Sequence, residues 1–173
     1  MNTRILVVLS LLVGIGAVLH TVVPPIIYGV KPDMLLSMMF LGIMLVPKTK
    51  YVVVLAIATG IISALTTQAP GGQIANMIDK PITALLFFGL FLFVKDRIPG
   101  KVSAPVLAAI GTIISGSIFL GSALYIVGLM DGAFLALFLT VVLPAAALNT
   151  LFMAIIYPIV QRIFKRTQPL PIS

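Results

Sequence analysis

Six runs of apolar residues, parted by short polar breaks, fix what this chain can fold into. They occupy positions 5–23, 32–46, 51–65, 81–94, 102–130 and 132–160. A helix crossing the roughly 30 Å hydrocarbon core of a bilayer needs about 20 apolar residues. The first run has that length, and the last two exceed it and must tilt or protrude. The second, third and fourth are shorter and need flanking residues, or protein over their ends, to complete a crossing. The expected fold is an all-α integral membrane protein, a bundle of six transmembrane helices forming a single transmembrane domain over residues 1–173. One alternative turns a pair of short runs into a re-entrant hairpin buried against protein. Composition agrees with a membrane protein: 61% of the chain is hydrophobic and 9% charged, against about 45–50% and 25% in soluble domains.

Charge sets the expected orientation. With the N-terminus inside, the inner segments hold Arg4, Lys48, Lys50, Lys95, Arg97, Lys101, Arg162, Lys165 and Arg166, and the outer ones only Lys31 and Lys80. Nine against two is the bias that places both termini in the cytoplasm. Three of the four acids, Asp33, Asp79 and Asp131, fall on the outer side. The basic residues form no single patch or stripe, so the net charge of +7 reflects topology, and no nucleic-acid partner is expected. The first run, 19 residues after Arg4, is longer than a signal-peptide core and reads as a resident helix. The tail 161–173 is basic and then Pro-rich, suited to lie near anionic lipid.

Local signals predict where helices begin and bend. Pro32 and Pro81 are expected at helix starts, where a missing N–H costs nothing. Asp131-Gly132 reads as a turn with Asp131 available to cap the sixth helix. Pro144 lies inside that helix and deprives the Thr140 carbonyl of its usual donor, which predicts a kink. Small residues mark faces where backbones approach closely, since lipid gives helices little other reason to associate. Ala104, Ala108, Gly111, Ser115 and Ser122 form such a ridge on the fifth helix, and 145–147 a flat patch on the sixth. Both are expected to pack inside the bundle. Ser10, Gly14 and Ala17 share a face of the first helix and are a candidate docking surface for another membrane subunit.

Nearly all the chemistry sits on the outer side. The segment between the third and fourth runs is about fifteen residues long, longer than most connections, and long loops tend to be functional. It carries Gln68, Pro70-Gly71-Gly72, Gln73, Asn76 and Asp79-Lys80. The glycines set a turn and permit close backbone approach to a ligand, and the amides offer both donors and acceptors. A zwitterionic amino acid needs an anion for its ammonium and a cation for its carboxylate. Lys31 with Asp33, and Asp79 with Lys80, supply both signs on one side, next to helix N-termini whose dipoles favour a carboxylate. The alternative is that each acid only caps its helix and pairs with the adjacent Lys. Asn149, deep in the sixth run, must find a partner in hydrocarbon and is either interhelical glue or a ligand contact. His20, the lone histidine, reads first as a packing residue.

Enzyme motifs are absent. There is no Cys, no His-x-x-x-His pair, and Gly71-Gly72 lacks the Lys-Ser/Thr of a phosphate loop. No cofactor or metal is expected, and ATP coupling would have to come from a partner.

Four runs carry a resemblance to a known family: Lys31-Pro32-Asp33-Met34; Phe40-Leu41-Gly42-Ile43; Gly60-Ile61-Ile62-Ser63-Ala64-Leu65-Thr66-Thr67; and Gly72-Gln73 with Asn76-Met77-Ile78-Asp79-Lys80-Pro81. With them the chain resembles, over almost its whole length, the bacterial tryptophan transporters called TrpP. The resemblance implies uptake of L-tryptophan across the plasma membrane by a bundle like the substrate-binding S components of energy-coupling-factor transporters. Such proteins hold substrate near the outer face and dock, partly through small residues on the first helix, on a shared T subunit driven by two ATPases. Where their docking face carries two Ala four apart, this chain has Ser10 and Gly14. The implied site has the ammonium at Asp33 or Asp79 and the carboxylate at Lys31 or Lys80. Gln68, Gln73, Asn76 and Asn149 would support the substrate, and the indole would lie on Met and Phe side chains such as Met34, Met38, Met39, Met44, Phe87 and Phe88. The other readings are the same architecture serving a different small metabolite, such as a vitamin, and a non-transporting membrane scaffold.

Overall fold

A computed structural model describes residues 1–26 and 29–166. Tyr28 and the Pro-rich end of the tail, 167–173, lie outside the described residues. Six helices are present among the described residues: α1 (Thr3–Val22), α2 (Met34–Leu45), α3 (Thr49–Thr66), α4 (Gly72–Val94), α5 (Gly100–Gly121, widening into a π-helical turn over Ser122–Val127) and α6. The last starts at Phe134–Leu137, passes through a π-helical segment at Phe138–Val142 and continues over Leu143–Arg166. All but α2 are long and apolar enough to cross a membrane.

The helices alternate in direction. The Asn2 amide donates to the Tyr51 hydroxyl at 2.8 Å, which brings the N-terminus beside the start of α3. Gly100, opening α5, lies against Tyr157 near the end of α6, and Gly71, just before α4, lies against Val127 and Leu129 at the end of α5. The bundle therefore has two ends, and the one opposite the N-terminus is the end that the charge count places outside.

Helix α2 explains the short second run. Its 12 residues extend about 18 Å at 1.5 Å per residue, well under the ~30 Å core. Every residue from Met34 to Met44 is buried, and α2 touches all five other helices. A helix that is apolar all round belongs in an interior, and here protein covers its ends, leaving Val30 and Val46 buried as well. Met34, Met38 and Met39 are core residues, as is Phe87, which stacks on Phe40 with ring centres 4.0 Å apart. A Cβ at Gly111 would stand 2.6 Å from the Phe40 ring and 2.9 Å from Phe87, so only glycine lets α5 close on this stack. The ridge of Ala104, Ala108, Gly111 and Ser115 is buried as expected, and so is Ser122. The patch at 145–147 is divided: Ala146 is buried and Ala147 exposed.

The largest departure from the sequence reading is the start of α4. Pro81 does not open this helix; it lies inside it, and Gly72 to Lys80 form its first turns. The long outer loop shrinks to five residues between Thr66 and Gly72. The reason is inverted amphipathy. Gly72, Ala75, Asn76, Asp79, Lys80 and Thr83 are buried along one face, while Ile74, Met77, Ile82, Leu85 and Leu86 face outward. In a membrane that is the favourable arrangement, because polar groups find partners only inside the bundle. Gly71 takes the left-handed conformation (φ 68°) that turns the chain into the helix. The close approach that Gly71-Gly72 permits is to Val127, Leu129 and Thr67 of the same chain.

Two smaller corrections concern α6. Its N-cap is Ala133, which makes no side-chain capping bond, so Asp131 does not cap it. Pro144 is the second residue after the π-helical segment. The wider register pairs a carbonyl five residues on and steps past the N–H that Pro144 lacks.

Candidate functional site

At the end of the bundle opposite the N-terminus, all six helices and the segment joining α1 to α2 border a cavity of about 560 Å³. That volume falls among small-molecule sites, typically ~300–1,000 Å³. One wall is charged. Asp33 caps α2, its Oδ1 accepting from the Leu36 amide at 3.0 Å, because a carboxylate there satisfies an otherwise orphaned N–H. Its other oxygen meets the ammonium of Lys80, 2.8 Å away, and Lys80 also lies 3.0 Å from Asp79 Oδ2. Asp79 is wholly buried and fully engaged: Thr83 donates to Oδ1 at 2.7 Å and Ser115 to Oδ2 at 2.7 Å. This network joins α2, α4 and α5. One ammonium between two carboxylates leaves a surplus of negative charge, and Asp33, with 27% of its side chain exposed, presents it to the cavity.

Asp79 pairs with the adjacent Lys80 as the sequence alternative expected, but Asp33 does not pair with the adjacent Lys31. Lys80 bridges to Asp33 across 47 positions as well as to its neighbour Asp79. Lys31 instead donates to the backbone carbonyl of His20 at 2.9 Å, and His20 Nδ1 stands 3.7 Å from Asp33 Oδ1. Lys31 and His20 thus join Asp33 at one side of the cavity. The Asn76 amide donates to the Gly72 carbonyl at 2.8 Å and more weakly to that of Ser63 at 3.4 Å, so its NH₂ is taken up by α3 and α4 backbone.

The opposite wall is apolar. Phe119 and Leu120 come from α5, Leu137 and Val142 from α6, and Met130 from the turn between them. Thr140, Val141 and Val142 belong to the π-helical segment, which therefore borders the cavity; π-bulges recur at functional sites.

Of the sequence-derived candidates, Lys31, Asp33, Gln68, Asn76, Asp79 and Lys80 line this cavity. Gln73 does not; it is exposed on the far face of α4. Asn149 is fully buried behind the lining and donates to Thr112 Oγ1 at 3.0 Å. Met34, Met38, Met39, Met44, Phe87 and Phe88 do not line the cavity, whereas Met130 and Phe119 do. Sequence reasoning missed Ser115, Thr112 and Ser63, and underrated His20, all of which line the cavity. Ser115 read as one more small residue on a packing ridge. The signal that singles it out is depth: one turn above Thr112, it lies level with Asp79.

On the basic half of the molecule, Ser10 and Gly14 are exposed on α1. They border a shallow apolar groove of about 230 Å³ between α1 and α3, with Ala58 and Ile62 across from them.

Comparison with known proteins identifies the family of the chain. The family model described as tryptophan transporter TrpP matches residues 2–165. A "Probable tryptophan transport protein" of Bacillus subtilis (strain 168) is 59% identical over 168 residues, covering 96% of each chain. Proteins with the same description from Clostridium acetobutylicum and Clostridium perfringens are 43% and 38% identical, covering 94% and 95% of each chain. No solved structure matches significantly. The family match over nearly the whole chain agrees with a multi-pass membrane transporter and not with an enzyme, and the chain belongs to the TrpP family of tryptophan transporters.

Proposed function

We propose that the chain is one transport domain that takes up L-tryptophan across the cell membrane, binding it in the cavity at the outer end of the bundle. The observation that carries this reading is that Asp33 and Lys31 stand together at the edge of a chamber with one charged wall and one largely apolar wall. Asp33 meets the substrate ammonium, because its carboxylate is 27% exposed beside the cavity whereas that of Asp79 is wholly buried. Lys31 meets the carboxylate, because Lys80 is held between two acids while Lys31, among the described residues, bonds only a carbonyl. The indole packs inward of the charges, on Leu36, Val142 and Ala145, an apolar surface that favours a large aromatic side chain. Gln68 and the Asn76 carbonyl oxygen serve the polar end.

Competition with labelled L-tryptophan uptake in intact cells tests this directly. Tryptamine, which lacks the carboxylate, and N-acetyl-tryptophan, which lacks the ammonium, should each compete at least tenfold more weakly than L-tryptophan, since a hydrogen bond to a charged group contributes about 1.5–3 kcal/mol. Equal competition by either compound, or stronger competition by a vitamin, would remove the zwitterion assignment.

The energy source belongs to the same proposal. The open face of α1 at Ser10 and Gly14 suits docking on an energy-coupling T subunit with its ATPases, whereas Ala17 is half-buried against the core. A Cβ at Gly14 would meet nothing within 4 Å, so a bulky residue there leaves the fold intact but obstructs a partner. Gly14→Leu should abolish uptake while leaving tryptophan binding by the purified chain unchanged. Full uptake by the variant, or uptake by the chain alone in vesicles under an ion gradient, would exclude this partner.

A further inference from the structure

The buried amide of Asn149 carries an acceptor with nothing to accept. Its Nδ2 donates to Thr112 Oγ1 at 3.0 Å, and Thr112 in turn donates its only hydroxyl hydrogen to the Ala108 carbonyl at 2.7 Å. Thr112 can therefore only accept from Asn149, which fixes the amide with NH₂ toward Thr112. The carbonyl oxygen Oδ1 is fully buried and accepts no hydrogen bond among the described residues. Leaving such a group unmet in a membrane interior is costly.

The location of this atom matters. Thr112 and Ala145 both line the cavity. Asn149 stands one helical turn beyond Ala145 on the same face of α6. Thr112 is one turn deeper than Ser115, which is level with the charge cluster, so Asn149 lies about 5 Å further into the bundle than Asp33 and Lys80. The cavity thus has its charged groups at one level, and an unmet acceptor lies about one turn deeper, behind Thr112 and Ala145, which a ligand must displace to reach it.

We propose that Asn149 Oδ1 is the acceptor for the indole N–H of bound tryptophan and sets the preference for tryptophan over aromatic amino acids without that donor. This rests on the tryptophan reading given above. With the ammonium and carboxylate held at Asp33 and Lys31, the indole points inward, and its N–H is the one remaining donor of the ligand. A buried indole N–H requires a partner, and a site built around such a bond rejects an analogue lacking it far more strongly than packing alone allows.

The test compares L-tryptophan with 3-benzothienyl-L-alanine, in which sulfur replaces the indole N–H in a ring of nearly the same shape. Affinities are measured calorimetrically on the purified chain and on Asn149→Leu. That variant leaves no orphan, because Thr112 keeps its own acceptor. The wild type should bind tryptophan at least about tenfold more tightly than the sulfur analogue, and Asn149→Leu should bind the two within about threefold. Asn149→Ala serves as the second variant if the first does not fold. Equal affinities in the wild type would overturn the inference while leaving the tryptophan site standing. Discrimination surviving in the variant would move the acceptor elsewhere, to Ser63 Oγ first, and overturn the assignment to Asn149. Failure of the wild type to bind tryptophan at all would remove both this inference and the reading beneath it.

Discussion

Replacing Lys80 with Met is expected to lower the stability of the folded protein by about 3–5 kcal/mol, the cost of stripping the partner from a buried charge. Lys80 is 2% exposed and lies within 3.0 Å of both Asp33 and Asp79. Without it, Asp79, wholly buried, keeps only the hydroxyls of Thr83 and Ser115. Those two donors cannot offset a carboxylate in a membrane interior, where water is not at hand to solvate it. The same argument predicts the rescue. Asp79→Asn combined with Lys80→Met removes the charge together with its partner and should recover most of the lost stability, a strongly non-additive pair. Thermal unfolding in detergent is the measurement. A loss of less than 1 kcal/mol in Lys80→Met would mean that the network is solvated and does not join α2, α4 and α5 as described.

Asp33→Asn should have the opposite profile, with little change in stability and a large loss of binding. Asn caps a helix about as well as Asp, so the Leu36 amide keeps its acceptor. Lys80 keeps Asp79 at 3.0 Å and is not left unpaired. What disappears is the surplus negative charge facing the cavity. A charge-assisted bond to the substrate ammonium contributes about 1.5–3 kcal/mol, so tryptophan affinity should fall roughly ten- to a hundredfold. Calorimetric titration of the two proteins checks this. Unchanged affinity would move the ammonium away from Asp33.

These predictions rest on features that were unequally legible in the sequence. The six apolar runs announced the helices, since long uncharged stretches have few other uses. The gathering of Lys31, Asp33, Asn76, Asp79 and Lys80 at one end followed from alternating the crossings and counting charges. The beginning of α4 was not legible by the same logic. Pro81 and the polar residues before it looked like a loop because soluble proteins put such residues in water, whereas here they line a buried face. The spacing Gly72, Ala75-Asn76, Asp79-Lys80, Thr83 has the 3.6-residue period of a helix, and reading polarity rather than hydrophobicity at that period finds it. The pairing of Lys80 with Asp33, 47 residues away, and the orphaned oxygen of Asn149 depend on which helices touch. Neither leaves a mark on the sequence that periodicity can reveal. The brevity of α2 was visible as a short run, but its central position follows only from its contacts with every other helix.

The central claim is that this chain alone contains the tryptophan site. Isothermal titration of the purified protein with L-tryptophan, in detergent and without any partner subunit, tests it most directly. Saturable binding with a stoichiometry near one, at least tenfold tighter than that of tryptamine, is the predicted result. A folded protein that gives no heat with tryptophan at any concentration, or that binds tryptamine equally well, would contradict it.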